Sequence, residues 1–225
     1  MKAAEARTVS IPVGDERVSG LLLVPARARA AYVLAHGAGA GMTHPFLEAA
    51  ARGLLERGIA TLRFQFPAME RGSRRVDPPK VAQAAVRAAV AEAARRLPGV
   101  PLFAGGKSFG GRMASQAQAE SPLPGVRGLA FLGFPLHPAG RPSDERAAHL
   151  SGVSIPMLFL QGSRDDLAHL ELLEPVVAGL GGRATLAVFP EADHSFHVPT
   201  RTGRKDAEVL EDVLDALAGW IEANR

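Results

Sequence analysis

Cysteine is absent from all 225 residues. That excludes disulfides, thiolate metal sites and a cysteine nucleophile, and it fits a reducing compartment. Long apolar runs are missing too: no stretch reaches the roughly 18 consecutive apolar residues that a membrane-spanning helix needs. Residues 1–20 carry Glu5, Asp15 and Glu16 and lack a continuous apolar core, so they do not read as a secretory signal. A cytoplasmic protein that does not engage membranes is the expectation. No Pro/Gly/Ser-rich linker, fixed-period repeat or low-complexity tract interrupts residues 1–225, which therefore read as one domain. Charge of one sign is nearly balanced, with 26 Lys and Arg against 23 Asp and Glu. The pI near 9.8 thus reflects arginines offset by almost as many carboxylates, scattered along the chain. Nucleic acid is not an expected partner. The one local basic cluster is Arg71, Arg74 and Arg75.

Apolar residues make up 47% of the chain, enough to bury a sizeable core at this length. Segments 8–13 and 18–24 are short and β-prone, separated by Gly14-Asp15-Glu16, and read as an antiparallel hairpin. From there the pattern changes. Segments 31–35, 59–64, 100–104, 128–132, 155–160 and 184–189 are short and mostly apolar, as suits strands buried on both faces of a parallel sheet. Between them run helical spacings. Val86, Val90, Ala93 and Leu97 share one helix face, and Leu210, Leu214, Leu217 and Ile221 share another. Pro78 and Pro79 fit the start of the first of these helices, and Pro98-Gly99 fits its end. Alternation of strand and helix predicts an α/β fold with a mainly parallel sheet and helices on both faces.

Ligands of such sheets bind beyond the carboxyl ends of the strands, so the loops just after each apolar run carry the chemistry. Four are informative. They are His36-Gly37-Ala38-Gly39-Ala40-Gly41, Gly106-Lys107-Ser108-Phe109-Gly110, Gln161-Gly162-Ser163-Arg164-Asp165-Asp166 and Pro190-Glu191-Ala192-Asp193-His194-Ser195-Phe196. The second has the GxSxG layout of a nucleophile elbow, where a strand turns sharply into a helix and presents a serine hydroxyl. Serine at its free pKa is a weak nucleophile. It needs a base within hydrogen-bond reach, and the base needs a carboxylate to hold its tautomer.

Ser108, Asp165 and His194 supply these parts in the order serine, acid, histidine. GxxD spacing from Gly162 favours Asp165 over Asp166, and spacing from the last strand favours His194 over His197. The oxyanion formed on attack needs two backbone N–H donors. Phe109 and Ala38 are the candidates, with Gly39 the next choice for the second. Gly106-Lys107-Ser108 also invites a phosphate-loop reading. That motif needs a glycine five positions before Gly106, where this chain has Pro101.

With those motifs in hand, the chain resembles the small, dienelactone-hydrolase-like α/β-hydrolases. It is more specifically similar to the bacterial predicted hydrolases grouped with testis-expressed protein thirty and with subunit three of the chromatin NSL complex. The likeness rests on His36-Gly37-Ala38-Gly39-Ala40-Gly41, Arg63-Phe64-Gln65-Phe66-Pro67, the run from Gly105 through Ser108 to Gly111-Arg112-Met113-Ala114-Ser115, Phe134-Pro135-Leu136-His137-Pro138, Gln161-Gly162-Ser163-Arg164-Asp165 and Asp193-His194-Ser195-Phe196. It spans nearly the whole chain. The resemblance implies an α/β-hydrolase fold and a Ser-His-Asp serine hydrolase without metal or cofactor. True dienelactone hydrolases use a cysteine nucleophile, which counts against that particular activity here.

Cleavage of an ester or related acyl bond in a small to medium soluble molecule is therefore the expected function. Some 20 residues between the strands ending near 133 and starting near 155 are too few for a folded lid. Thioesterase and peptidase share the same triad chemistry, and a non-catalytic interaction module is the alternative from another class. His36 reads as a structural histidine bracing the oxyanion loop, and Lys107 as a solvated or loop-pairing side chain. Two further features have two readings each. His137 either touches substrate or bonds a neighbouring loop, while Arg74 and Arg75 either form a solvated face or pair with an anionic acyl group.

Overall fold

The computed structural model describes residues 4–73 and 75–225. The chain begins with an antiparallel hairpin of β1 (Arg7–Val13) and β2 (Glu16–Leu23). It then alternates β3 (Ala30–Ala35), α1 (Pro45–Glu56), β4 (Ile59–Phe64), the short α2 (Pro67–Glu70), α3 (Pro79–Arg96), β5 (Leu102–Lys107) and α4 (Phe109–Glu120). After these come β6 (Val126–Leu132), a 3-10 segment (Glu145–Gly152), β7 (Met157–Gly162), α5 (Leu170–Gly179), β8 (Ala184–Phe189) and α6 (Asp206–Asn224). All eight strands form one sheet in the order β1-β2-β4-β3-β5-β6-β7-β8. Strands β3 to β8 run parallel, and β2 joins β4 antiparallel.

Helices cover both faces. Val33, Phe64, Phe131 and Phe159 pack with α3, α4 and α5 on one side, while Leu34, Phe103 and Leu160 pack with α1 and α6 on the other. Each such buried side chain contributes on the order of 1.5–3 kcal/mol by leaving water. Strands β3, β4 and β7 are buried at every position, as a covered parallel sheet requires. β8 is not. It is the edge strand, and Val188 is 38% exposed there, so the expectation of burial on both faces fails for segment 184–189.

Strand β5 also differs from the expected segment 100–104. It starts at Leu102, with Pro101 just before it, and continues through Gly105, Gly106 and Lys107. Bare glycine backbone is what allows this continuation, because a Cβ on Gly106 would stand 2.2 Å from the Ala35 carbonyl oxygen of the adjoining β3. The strand ends are in step: Ala35 lies opposite Gly106, Lys107 opposite Leu132, and Gly162 opposite Phe189. The loops after β3, β5, β7 and β8 therefore open on one edge of the sheet. The β6-to-β7 connection holds only the 3-10 segment, with no lid.

Candidate active site

Ser108 is the turn residue between β5 and α4, with φ 50° and ψ −117°. Positive φ is costly for a residue with a side chain and persists only where the surroundings enforce it. The enforcement is visible at Gly110, where a Cβ would come within 2.6 Å of the His36 carbonyl oxygen. The α4 N-terminus thus packs directly on the loop after β3, and the serine is thrust out of the turn.

Ser108 Oγ lies 2.8 Å from His194 Nε2, and His194 Nδ1 lies 2.7 Å from Asp165 Oδ2. An ionised carboxylate only accepts, so Nδ1 carries the proton and Nε2 is left to accept from the serine hydroxyl. Asp165 is buried, and its other oxygen accepts from the Leu167 amide at 2.8 Å, while the Gln161 side chain donates to Oδ2. Both oxygens of the buried carboxylate thereby have partners. The competing residues point elsewhere. Asp166 is exposed, and His197 is exposed and paired with Asp206 at 2.9 Å.

Phe109 is the first residue of α4, so its N–H has no intrahelical acceptor. Among the described residues the Ala38 N–H has no acceptor either. Ala38 and Ser108 both line a cavity of about 340 Å³ with Phe46, Leu47, Leu167 and His194. Ala38 and the serine hydroxyl therefore lie together in a mostly apolar pocket, with the Phe109 amide on the residue that follows Ser108.

The loop after β3 is held mainly by neutral hydrogen bonds, with one more from the Arg63 guanidinium. His36 is buried, and burial lowers its pKa, which keeps the ring neutral. Its Nδ1 donates to the Gly37 carbonyl at 2.7 Å, and its Nε2 accepts from the Phe66 amide at 3.1 Å. Gln65 Oε1 accepts from the Met42 amide at 2.7 Å, and Arg63 donates to the Met42 carbonyl at 3.1 Å. Sequence reasoning read Arg63 and Gln65 only as part of a resemblance. The available signal was their position at and just after the end of β4, which pairs with β3 and so sits beside the loop it braces.

His137 is fully buried, with Nδ1 3.0 Å from the Pro138 carbonyl and Nε2 accepting from the His169 amide at 3.2 Å. Both ring nitrogens are spent on loops, so of its two readings the structure carries loop bonding and not substrate contact. Arg75 is exposed and lies behind the loop after β3, in a shallow cleft with His36, Ala38 and Phe109, outside the pocket that holds Ser108. Arg71 pairs with Glu16 at 2.6 Å and stands 3.6 Å from the Asp77 carboxylate. Arg74 lies outside the described residues.

An eight-stranded sheet of this order, with a strained serine at the end of β5 and facing acid and histidine loops, defines an α/β-hydrolase fold. The chain belongs to the family described as alpha/beta hydrolase domain, which it matches over residues 28–222. It is 31% identical over 217 residues to a Mycobacterium tuberculosis protein that carries the name of a phosphoribosyl transferase, covering 95% of this chain and 45% of that one. The chain thus spans about half the length of the curated relatives it matches. Among solved structures it is similar to a dienelactone hydrolase from Anabaena variabilis, with TM-score 0.80, 23% identity and 98% of each chain covered. It is also similar to an α/β serine hydrolase without lid from Xanthomonas campestris, with TM-score 0.76, 21% identity, and 98% of this chain and 97% of that one covered. Among the described residues no helix is long and apolar enough to cross a membrane, and no group of three or more His, Cys, Asp or Glu is placed to hold a metal ion.

Proposed function

We propose that this chain is a serine hydrolase, one α/β-hydrolase domain over residues 1–225, that cleaves an ester or related acyl bond of a small to medium soluble molecule. The observation that carries the reading is the continuous hydrogen-bond chain from Ser108 through His194 to Asp165, at 2.8 and 2.7 Å. Ser108 Oγ attacks the acyl carbon while His194 Nε2 takes the hydroxyl proton. Asp165 keeps the other ring nitrogen protonated and stabilises the imidazolium. The Phe109 and Ala38 amides receive the developing oxyanion, and His194 returns the proton to the leaving group. Water, activated by the same histidine, then releases the acyl group from Ser108.

The apolar walls of Phe46, Leu47 and Leu167 suit the acyl portion, and a pocket without a lid favours soluble esters over long-chain lipids. Membership of the narrower testis-expressed-protein-thirty group, a cytoplasmic setting and independence of any cofactor form part of the same reading. The transferase name of the mycobacterial relative belongs to a protein more than twice as long as the matched stretch, and the triad geometry supports acyl chemistry for this stretch. Turnover of a short-chain p-nitrophenyl ester and labelling by a fluorophosphonate probe test the proposal. Ser108→Ala should abolish labelling and lower kcat by about 10⁴ to 10⁶. Turnover that survives Ser108→Ala sinks it.

A further inference from the structure

The residue before the nucleophile has no part in that mechanism, yet it is not free in solvent. Lys107 ends β5 and is partly buried, and its ammonium donates to the main-chain carbonyl of His194. The Phe46 and Phe196 rings flank it, with centroids 5.9 and 5.5 Å from Nζ. On a further side is Gly133, where a Cβ would stand 2.8 Å from Nζ and 3.3 Å from the His194 ring. Lysine head and histidine ring thus share one space, which the bare backbone after β6 leaves open. Phe196 itself has φ 64°, so the loop that carries His194 turns back sharply just beyond it and needs an anchor to hold that shape.

We propose that Lys107 is a positioning residue: through the carbonyl of His194 its ammonium anchors the loop after β8 and thereby keeps the imidazole aimed at Ser108. The proposal rests on the reading of Ser108 and His194 given above. Its chemistry is that of a charge-assisted hydrogen bond in a site with little water, where such a bond is stronger than on the surface. Cation–π contact with two rings adds to it. A purely packing role has no use for a buried charge, which costs desolvation that an apolar side chain of equal length would avoid.

The anchor is titratable. Burial lowers the Lys107 pKa to about 8, although Asp165 and Asp193 act to raise it. The groups facing it are those two carboxylates on the loops after β7 and β8, and His194 itself. His44 stands across the pocket, to which α1 contributes the uncharged Phe46 and Leu47. Below that value the head is an ammonium. Above it the head is a neutral amine that still reaches the carbonyl, with a weaker bond.

Two variants separate the charge from the hydrogen bond. Lys107→Met keeps the length and apolar stem but donates nothing, while Lys107→Gln donates without charge. Rates of fluorophosphonate labelling of Ser108 from pH 6 to 10, ester kcat and KM, and hydrogen exchange over residues 190–197 are measured on the full chain. Lys107→Met should lose about 10- to 100-fold in labelling rate and kcat, the scale of a misplacement near 1 Å. KM should change little, and exchange over 190–197 should quicken. Lys107→Gln should recover part of the loss, and both variants should lack a wild-type decline centred near pH 8. Labelling within twofold of wild type in Lys107→Met, with exchange over 190–197 unchanged, overturns the anchor. Equal losses in the two variants with the wild-type pH profile retained also overturn it, as packing alone would give that result. A wild type that fails to label at Ser108 overturns the hydrolase reading instead, and the exchange measurement still decides whether Lys107 anchors the loop.

Discussion

The two sides of Ser108 are held by different physics. On one side the loop after β3 hangs mainly from neutral partners, the unprotonated ring of His36, the Gln65 amide, and main-chain N–H and C=O groups, with the Arg63 guanidinium as a charged partner that does not titrate. On the other side the loops after β7 and β8 are tied by a buried carboxylate, an imidazole and a lysine ammonium. Under the proposed mechanism the division matches the tasks. Oxyanion donors have to be in place before charge develops and do not need to titrate, so neutral bonds suffice and hold their geometry across pH. A general base has to change protonation in every cycle, and only charged neighbours can stabilise that change. Substitutions on the charged side should therefore cost far more and depend on pH, while those on the neutral side should cost less, by one factor at every pH.

Asp165→Asn is the most severe test of that contrast within the fold. An amide keeps the shape of the carboxylate and can still accept from the Leu167 amide in this buried position, so the chain should still fold. Asparagine can turn its NH₂ toward His194 Nδ1 and make that nitrogen the acceptor. The proton then moves to Nε2, which can no longer take one from Ser108. A fall of about 10⁴ in kcat with little change in KM is the expected outcome of such a tautomer error, measured with the short-chain ester. Near-normal turnover in a folded Asp165→Asn protein would mean that the two sides do not differ as argued.

Gln65→Leu probes the neutral side. It removes the acceptor of the Met42 amide and leaves His36 and Arg63 to hold the loop. Loss of a whole oxyanion donor costs about 10² to 10³ in kcat, and a loosened but present donor should cost less, about tenfold. The factor should be the same at pH 7.5 and pH 9, since the removed amide carries no charge and burial lowers the His36 pKa from its ordinary value. A factor that grows with pH would tie this loop to the charged side.

The parts of this site legible in the sequence were those fixed by local chain order. Gly106 and Gly110 mark a turn only glycine permits, and Asp165 and His194 follow their strands at short range. What was not legible depends on which strands lie side by side. Gln65 follows β4, and its role appears only because β4 pairs with β3. Lys107 is adjacent to the nucleophile in sequence, but its partner carbonyl lies 87 residues away. The same cause misled in the other direction. His137 follows the end of β6 and Arg75 lies on the connection between α2 and α3, yet one is turned inward between loops and the other lies behind the loop after β3, and nothing in their spacing says so. Edge exposure of β8 was hidden for the same reason, since strand order is not written in the apolar run.

His197 provides the finest comparison, three residues from His194 but outside the site. Its side chain is exposed and bonded to Asp206, and that hydrogen bond raises its pKa while lowering that of Asp206. A group whose pKa is raised on folding stabilises below its unfolded value and loses that contribution as pH rises through the folded one. The lowered Asp206 does the reverse, contributing above its unfolded value and losing its part as pH falls through the folded one. The pair therefore acts in the window between the depressed carboxylate and the raised imidazole. His197→Asn should leave kcat within about twofold of wild type. Its small loss in Tm should be visible at pH 5.5 and shrink toward pH 9, as the raised imidazole gives up its charge. Thermal melts and ester turnover across that range check both halves. A large loss of kcat would move the base from His194 to His197, and a pH-independent Tm loss would mean that His197 stabilises the loop by packing and not by charge.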